Sequence, residues 1–199
     1  MSRVLHYGLA SLLLLGGCAS GPTDVHEYLD QQTAITIRVV SAPAIYAHDA
    51  PELAANVRDY LSVGAVELNN MGTRKHYLAL IAWSTIDRKR PGVPPVTLPE
   101  RIEIKLGGQD RQFELATHEP RNIGIGEPVL RPDIGYLGES WYQVTPADLR
   151  AFAEAPPEWI ELVGTELHLT YVSWHREDAA FQAFVEEMPN PVTTQKINR

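Results

Sequence analysis

The chain has 199 residues, with 17 Lys and Arg against 25 Asp and Glu, so its formal net charge is −8 at pH 7. An acidic surface disfavours general binding to nucleic acid or to anionic lipid headgroups, because both are polyanions. The single cysteine, Cys18, leaves no partner for an intramolecular disulfide. The folded part must therefore be stabilised by burial of apolar side chains, for which the length suffices.

The first residues have the pattern of an export signal. Residues 1–7 contain Arg3 and no acid, and the apolar run 8–15 is too short to cross a bilayer, which takes about twenty residues. The next residues, Leu15-Gly16-Gly17-Cys18, resemble the lipobox of bacterial lipoproteins. This resemblance implies that a signal peptide, 1–17, is removed and that Cys18 is acylated. The alternatives are an ordinary signal peptide with an incidental cysteine and an apolar N-terminal helix that is retained.

The same resemblance implies a location. In lipoproteins of this family an Asp after the cysteine commonly marks inner-membrane retention, whereas Ala19 and Ser20 follow Cys18 here. We therefore expect an outer-membrane protein that faces the periplasm and is anchored by its acyl chains. Loss of Arg3 with the leader leaves 16 basic against 25 acidic residues, a net charge of −9. Residues 18–33 are predicted to be the lipidated cysteine and a tether.

Strand patterns fill most of the remaining chain. Residues 34–40 alternate between apolar and polar, as expected for a half-buried strand. Two further runs, 60–68 and 74–84, flank the turn-forming residues 69–73 and predict a hairpin. Within the second run, residues 77–83 are apolar on both faces, which predicts a central strand covered on both sides.

Three further strand regions and three helices are predicted after or between these runs. A hairpin joins 101–106 to 111–115, a strand covers 139–144, and a last pair covers 159–163 and 166–174. Helix starts are indicated by capping residues at Asp49-Ala50-Pro51-Glu52 and Thr145-Pro146-Ala147-Asp148. An amphipathic helix is predicted over 178–188.

These elements predict a mainly all-β protein. Short strands at regular spacing, without alternation of strands and helices, favour an antiparallel β-sandwich, of which the immunoglobulin type is one form, with two or three short helices. We expect a single domain over 34–188 and a flexible tail over 189–199. The long segment 116–138, broken by proline and glycine, has the length of a functional loop.

No stretch has a catalytic, phosphate-binding or metal-binding signature, so we predict a non-enzymatic binding or scaffolding protein without a cofactor. The partner would be another envelope protein or a glycan. Basic and histidine side chains on the long loops are the candidate partner-binding residues, with a merely solvated loop as the alternative. They are Arg88, Lys89, Arg90, His118, Arg121 and Arg131.

Two other possibilities remain open from the sequence. An envelope hydrolase or metal-binding protein would use His118, Glu119 and His168. The four tryptophans all lie in predicted strands, where they either pack in the core or form an exposed aromatic platform for sugar or protein. They are Trp83, Trp141, Trp159 and Trp174.

Overall fold

The computed structural model describes residues 24–88, 96, 98–130, 132, 135–164 and 168–189. The predicted signal peptide, Cys18 and residues 190–199 lie outside the described residues. The ten strands are β1 Val25–Leu29, β2 Thr36–Val40, β3 Ala44–Asp49, β4 Arg58–Asn70, β5 Thr73–Ser84, β6 Arg101–Leu106, β7 Gln109–Thr117, β8 Tyr136–Val144, β9 Trp159–Val163 and β10 His168–His175. The helices are α1 Pro146–Glu154 and α2 Asp178–Glu186, with a 3-10 turn at Pro120–Ile123.

The prediction of a sandwich is wrong, because the sheet closes on itself as an antiparallel barrel of eight strands. The strands follow one another around the barrel as β4, β3, β10, β9, β6, β7, β8 and β5, and β5 then pairs with β4. Strand β3 completes this ring, since it lies between β4 and β10. The prediction of a short helix that begins at residues 49–52 is also wrong, because Asp49 ends β3 and turns follow it.

Strands β2 and β3 behave as one interrupted strand along the same edge of β4. Residues of β2 pair with Val66 to Asn69, and residues of β3 pair with Arg58 to Val63. Outside the ring, β1 pairs with β2. Part of the segment assigned to the tether therefore belongs to the sheet. Most other predicted elements are confirmed, including both hairpins, β8, the last strand pair and α2.

The strands β4, β5 and β8 are buried on both faces, which confirms the prediction for residues 77–83. Their inward side chains, such as Leu61, Leu78 and Tyr142, join the core inside the barrel. Their outward side chains, such as Val66 and Ile81, form a second core with the segment between β7 and β8. That segment covers the barrel wall, and so it has a packing role.

The two ends of the barrel differ. At one end, which we call the helix end, α1 and α2 pack over the interior through Phe152, Phe181 and Phe184. The predicted capping box of α1 is present, with the Thr145 N–H donating to Asp148 Oδ2 over 2.9 Å. The strands β3, β5, β7 and β9 all end at the opposite end of the barrel, which we call the loop end.

Candidate functional site

A row of apolar side chains crosses the outer face of the barrel. Strand register places Trp83 opposite Tyr60, Tyr60 opposite Ala47, Ala47 opposite Val172, and Val172 opposite Trp159. Register partners on neighbouring strands lie side by side on the same face of a sheet. We call these five residues, together with Trp174, the aromatic row.

The aromatic row is partly open to solvent. Val172 is 56% exposed and Trp174 is 55% exposed. Tyr60 stacks on Trp83 with ring centroids 4.2 Å apart, and Trp174 meets Tyr60 edge-on at 6.2 Å. The fourth tryptophan, Trp141, is buried in the second core. The tryptophans thus divide between the two possibilities that the sequence left open.

Two charged residues border the aromatic row. The Arg58 guanidinium lies 4.5 Å from the ring centroid of Trp174. Its Nε donates a hydrogen bond to Asp49 Oδ1 over 2.6 Å. A cation over an aromatic face is attracted by the ring quadrupole, so Arg58 covers one face of Trp174 and holds the ring in place.

The described residues do not bring the predicted basic residues together as one surface patch. Arg88 is buried, with Nη2 3.4 Å from Asp59 Oδ2. Lys89, Arg90 and Arg131 lie outside the described residues. Arg88 therefore faces a buried carboxylate, whereas the sequence predicted a partner-binding residue on a loop, with a solvated loop as the alternative.

His118 and Arg121 do lie near each other, in a cleft of about 390 Å³ at the loop end. Three carboxylates, Glu119, Glu127 and Glu139, line the same cleft, so its charge is mixed. The His118 ring is also engaged, since its Nδ1 is 2.6 Å from the Ser140 hydroxyl. This cleft lacks the positive character that the sequence suggested.

The metal-binding alternative gains no support from the geometry. His168 is exposed, and its Nε2 lies 3.4 Å from Glu161 Oε2. Within the described ranges, no group of three or more His, Cys, Asp or Glu side chains is placed to hold a metal ion. His118, Glu119 and His168 are thus not assembled as a ligand set.

The structure adds a buried polar cluster that the sequence analysis missed, formed by Asp59, Arg88 and Tyr171. Burial, and after it the Asp59 carboxylate, raises the pKa of the Tyr171 phenol, while Arg88 acts in the opposite direction. A signal for Asp59 was present in the alternation of β4. Asp59 and Glu67 have the same parity as Leu61, Val63 and Ala65, so a strict period of two places two acids on the inner face.

Comparison with protein-family models, with curated proteins and with solved structures finds no match to this chain. Across the part of the chain that the structure describes, no helix has the length and apolar character needed to span a membrane. The fold and its surfaces define a closed antiparallel barrel with a partly exposed aromatic row on its wall and a buried ionic cluster at its loop end.

Proposed function

We propose that the chain is an outer-membrane lipoprotein, anchored through acylated Cys18, whose periplasmic barrel binds another envelope protein through the aromatic row. It acts as an accessory or assembly component and not as an enzyme. The lipobox Leu15-Gly16-Gly17-Cys18 supports the anchor and the location. The aromatic row carries the binding function, because Val172 and Trp174 expose more than half of their surface on the barrel wall and exposed apolar patches mark interaction sites.

The composition of the row favours a protein partner. Trp, Tyr and Arg are the residues enriched at the energetic centres of protein interfaces, and Trp174, Tyr60 and Arg58 lie together here. The row crosses five strands, which is about 19 Å at roughly 4.8 Å per strand. A patch of this length fits the apolar centre of an interface, with Arg58 and Asp49 as its polar rim.

The ring arrangement is less suited to a sugar. A sugar-binding platform presents free aromatic faces, whereas Tyr60 and Trp83 stack on each other and Arg58 covers one face of Trp174. Ala47 and Val172 fill the middle of the row with aliphatic surface. We therefore assign the row to a protein and treat glycan binding as the competing outcome.

The test is affinity purification of the full chain from detergent-solubilised envelopes after cross-linking. Wild type is compared with the double variant Val172→Ser/Trp174→Ala, which removes the two most exposed members of the row. The control is Met71→Ser, because Met71 is 99% exposed in the β4–β5 turn at the helix end. We expect one partner to be recovered with wild type and control, and to bind at least about tenfold less to the double variant.

Two results would contradict this assignment. Equal recovery of the same partners with all three proteins removes the aromatic row from the interface. Co-sedimentation of wild type with purified peptidoglycan, lost in the double variant, assigns the row to a glycan. Mass spectrometry of the native protein tests the anchor separately, because acylated Cys18 must be its first residue.

A further inference from the structure

The buried cluster at the loop end has more hydrogen-bonding atoms than partners. Asp59 is 4% exposed, Arg88 is 9% exposed and Tyr171 is fully buried. The 3.4 Å contact between Arg88 Nη2 and Asp59 Oδ2 is long for a charge-assisted hydrogen bond. Among the described residues, Asp59 Oδ1, Arg88 Nε, Arg88 Nη1 and the Tyr171 hydroxyl have no hydrogen-bond partner.

Such a cluster is costly as a purely structural ion pair. Attraction between two buried charges offsets their loss of water only when the geometry is good and the remaining donors and acceptors are satisfied. Neither condition holds for Asp59 and Arg88, and the fully buried Tyr171 adds a further polar group to the cluster. The cluster therefore has the character of a recognition site that is completed by the polar groups of a ligand.

A cleft leads to this cluster from the surface. It has a volume of about 470 Å³ and is lined by residues 84–88 and 135–137. Arg88 belongs both to the cleft and to the cluster. Ser84, which lines the cleft, is the register partner of Asp59 on the neighbouring strand. Clefts of this size are typical of small-molecule sites, and Arg88 connects this one to Asp59.

We infer that this site binds a small zwitterion of the α-amino-acid class. The free donors are on Arg88 and Tyr171 and fit a carboxylate, and the free acceptor on Asp59 fits an ammonium group. The formal charges of Asp59 and Arg88 cancel. A simple anion would meet the Asp59 carboxylate, and a simple cation would meet Arg88, so only a ligand with both charges is matched by both residues.

The first experiment uses the full chain purified in detergent, with glycine as the probe, studied by calorimetry and thermal unfolding. Acetate and methylammonium serve as half-probes that each carry one of the two charges. We expect saturable binding of glycine, with Tm raised by roughly 5 °C at about a hundred times the Kd. Each half-probe should bind at least about tenfold more weakly. Absence of saturable glycine binding, or acetate binding as tightly as glycine, overturns the inference.

The second experiment assigns binding to the cluster. Asp59→Asn and Arg88→Gln should each weaken glycine binding at least about tenfold, because each leaves one ligand charge unmatched. The double variant Asp59→Asn/Arg88→Gln has no buried charge at this position, so it is expected to fold even where a single variant does not. The control is Arg111→Gln, an exposed arginine of β7, which should bind glycine like wild type. Unchanged glycine binding by the double variant would place the ligand elsewhere. This inference is independent of the aromatic row.

Discussion

One buried carboxylate, that of Asp30, joins two segments that are far apart in the sequence. It accepts hydrogen bonds from the backbone N–H groups of Gln32 and Thr33 in its own turn, over 2.8 and 3.1 Å. It also accepts from the N–H groups of Gly126 and Glu127, over 2.6 and 3.2 Å. The segment that covers the barrel wall is thus attached to the β1–β2 turn. The two backbones approach so closely that position 126 requires glycine, because an added Cβ would lie 2.7 Å from Gln32 Cβ.

Substitution Asp30→Asn should lower the free energy of unfolding by about 3 kcal/mol. The four backbone N–H groups use both oxygens of the carboxylate, whereas an amide has only one acceptor oxygen. The amide NH₂ group would then face two of the N–H donors. Urea unfolding measures the change, with Glu27→Gln as the control, because Glu27 is an exposed acid of β1. A loss no greater than that of the control would show that the Asp30 contacts do not hold the covering segment in place.

The buried charges illustrate what the sequence can and cannot reveal about single residues. Asp59 and Glu67 are recognisable in principle, because they break an apolar pattern of period two. Arg88 is not, because a basic residue in a polar stretch next to prolines has the local features of a solvated loop. Its burial depends on Asp59, which lies 29 positions earlier in the sequence (88 minus 59) and becomes its neighbour only after the sheet has formed.

Elements defined by local signals were predictable, and elements defined by distant partners were not. Both hairpins have turn residues between alternating runs, and α1 has its own capping box, so each is specified by a few adjacent residues. Strand β3 has no such signal, and the cap-like residues Asp49-Ala50-Pro51-Glu52 indicate a helix instead. Pairing with β4 and β10 overrides that local preference.

The missing strand also explains why the wrong architecture was predicted. Sandwiches and barrels share the same local alternation of apolar and polar residues. They differ in whether the two edge strands of the sheet pair with each other and close it. Here the β3–β10 pairing joins the two halves of the ring. Without β3 in the prediction, the remaining hairpins form an open arrangement, for which a sandwich is the natural solution.

A proline in β3 tests this role of the strand. Ala47 pairs with Tyr60 on one side and Val172 on the other, so Ala47→Pro removes a hydrogen bond of the closed ring. We expect a loss of more than about 3 kcal/mol in the free energy of unfolding, or failure to fold. Circular dichroism and urea unfolding report either result.

The matched control is a proline in β1, outside the ring. Ser41 N–H donates to the Asp24 carbonyl over 2.9 Å, so these two residues form a hydrogen-bonded pair. In an antiparallel ladder such pairs alternate with pairs that share no hydrogen bond, and Glu27 belongs to the second kind. Its N–H therefore points away from β2. Glu27→Pro should therefore change the free energy of unfolding by only about 1 kcal/mol. Equal effects of the two prolines would mean that β3 is no more important to the fold than an edge strand.

At the scale of the whole molecule, the helix end is closed by charged as well as apolar groups. Glu67 lies inside the barrel, with His76 Nε2 2.8 Å from its Oε2 and Arg74 in contact with its Oε1. Arg38 is buried beside them, donates to the Phe184 carbonyl of α2 and lies 3.2 Å from Glu187. Arg38 is the register partner of Glu67, so the charge of Glu67 acts on the residue that contacts α2.

The stability of the molecule should therefore decrease in acid. Burial alone raises the pKa of Glu67, but the hydrogen bond from His76 and the charges of Arg74 and Arg38 outweigh it and hold the pKa below its usual value. For Asp30, likewise, burial raises the pKa, but the four backbone hydrogen bonds outweigh burial and hold the pKa below its usual value. A carboxyl with a lower pKa in the folded state stabilises that state above its ordinary pKa, near 4, and loses this effect as the pH falls through the folded value.

We expect the contribution of these two carboxyl groups to the free energy of unfolding to be constant at neutral pH. Below about pH 5 this contribution should decrease progressively, and the stability of the protein with it. Glu67→Gln should lower stability at pH 7 and reduce the slope in acid, because an amide cannot be protonated there. Urea unfolding at a series of pH values measures both effects, with Glu52→Gln as the control, since Glu52 is exposed. If the Glu67→Gln profile ran parallel to that of wild type down to low pH, the ionisation of Glu67 would not contribute to closing the helix end.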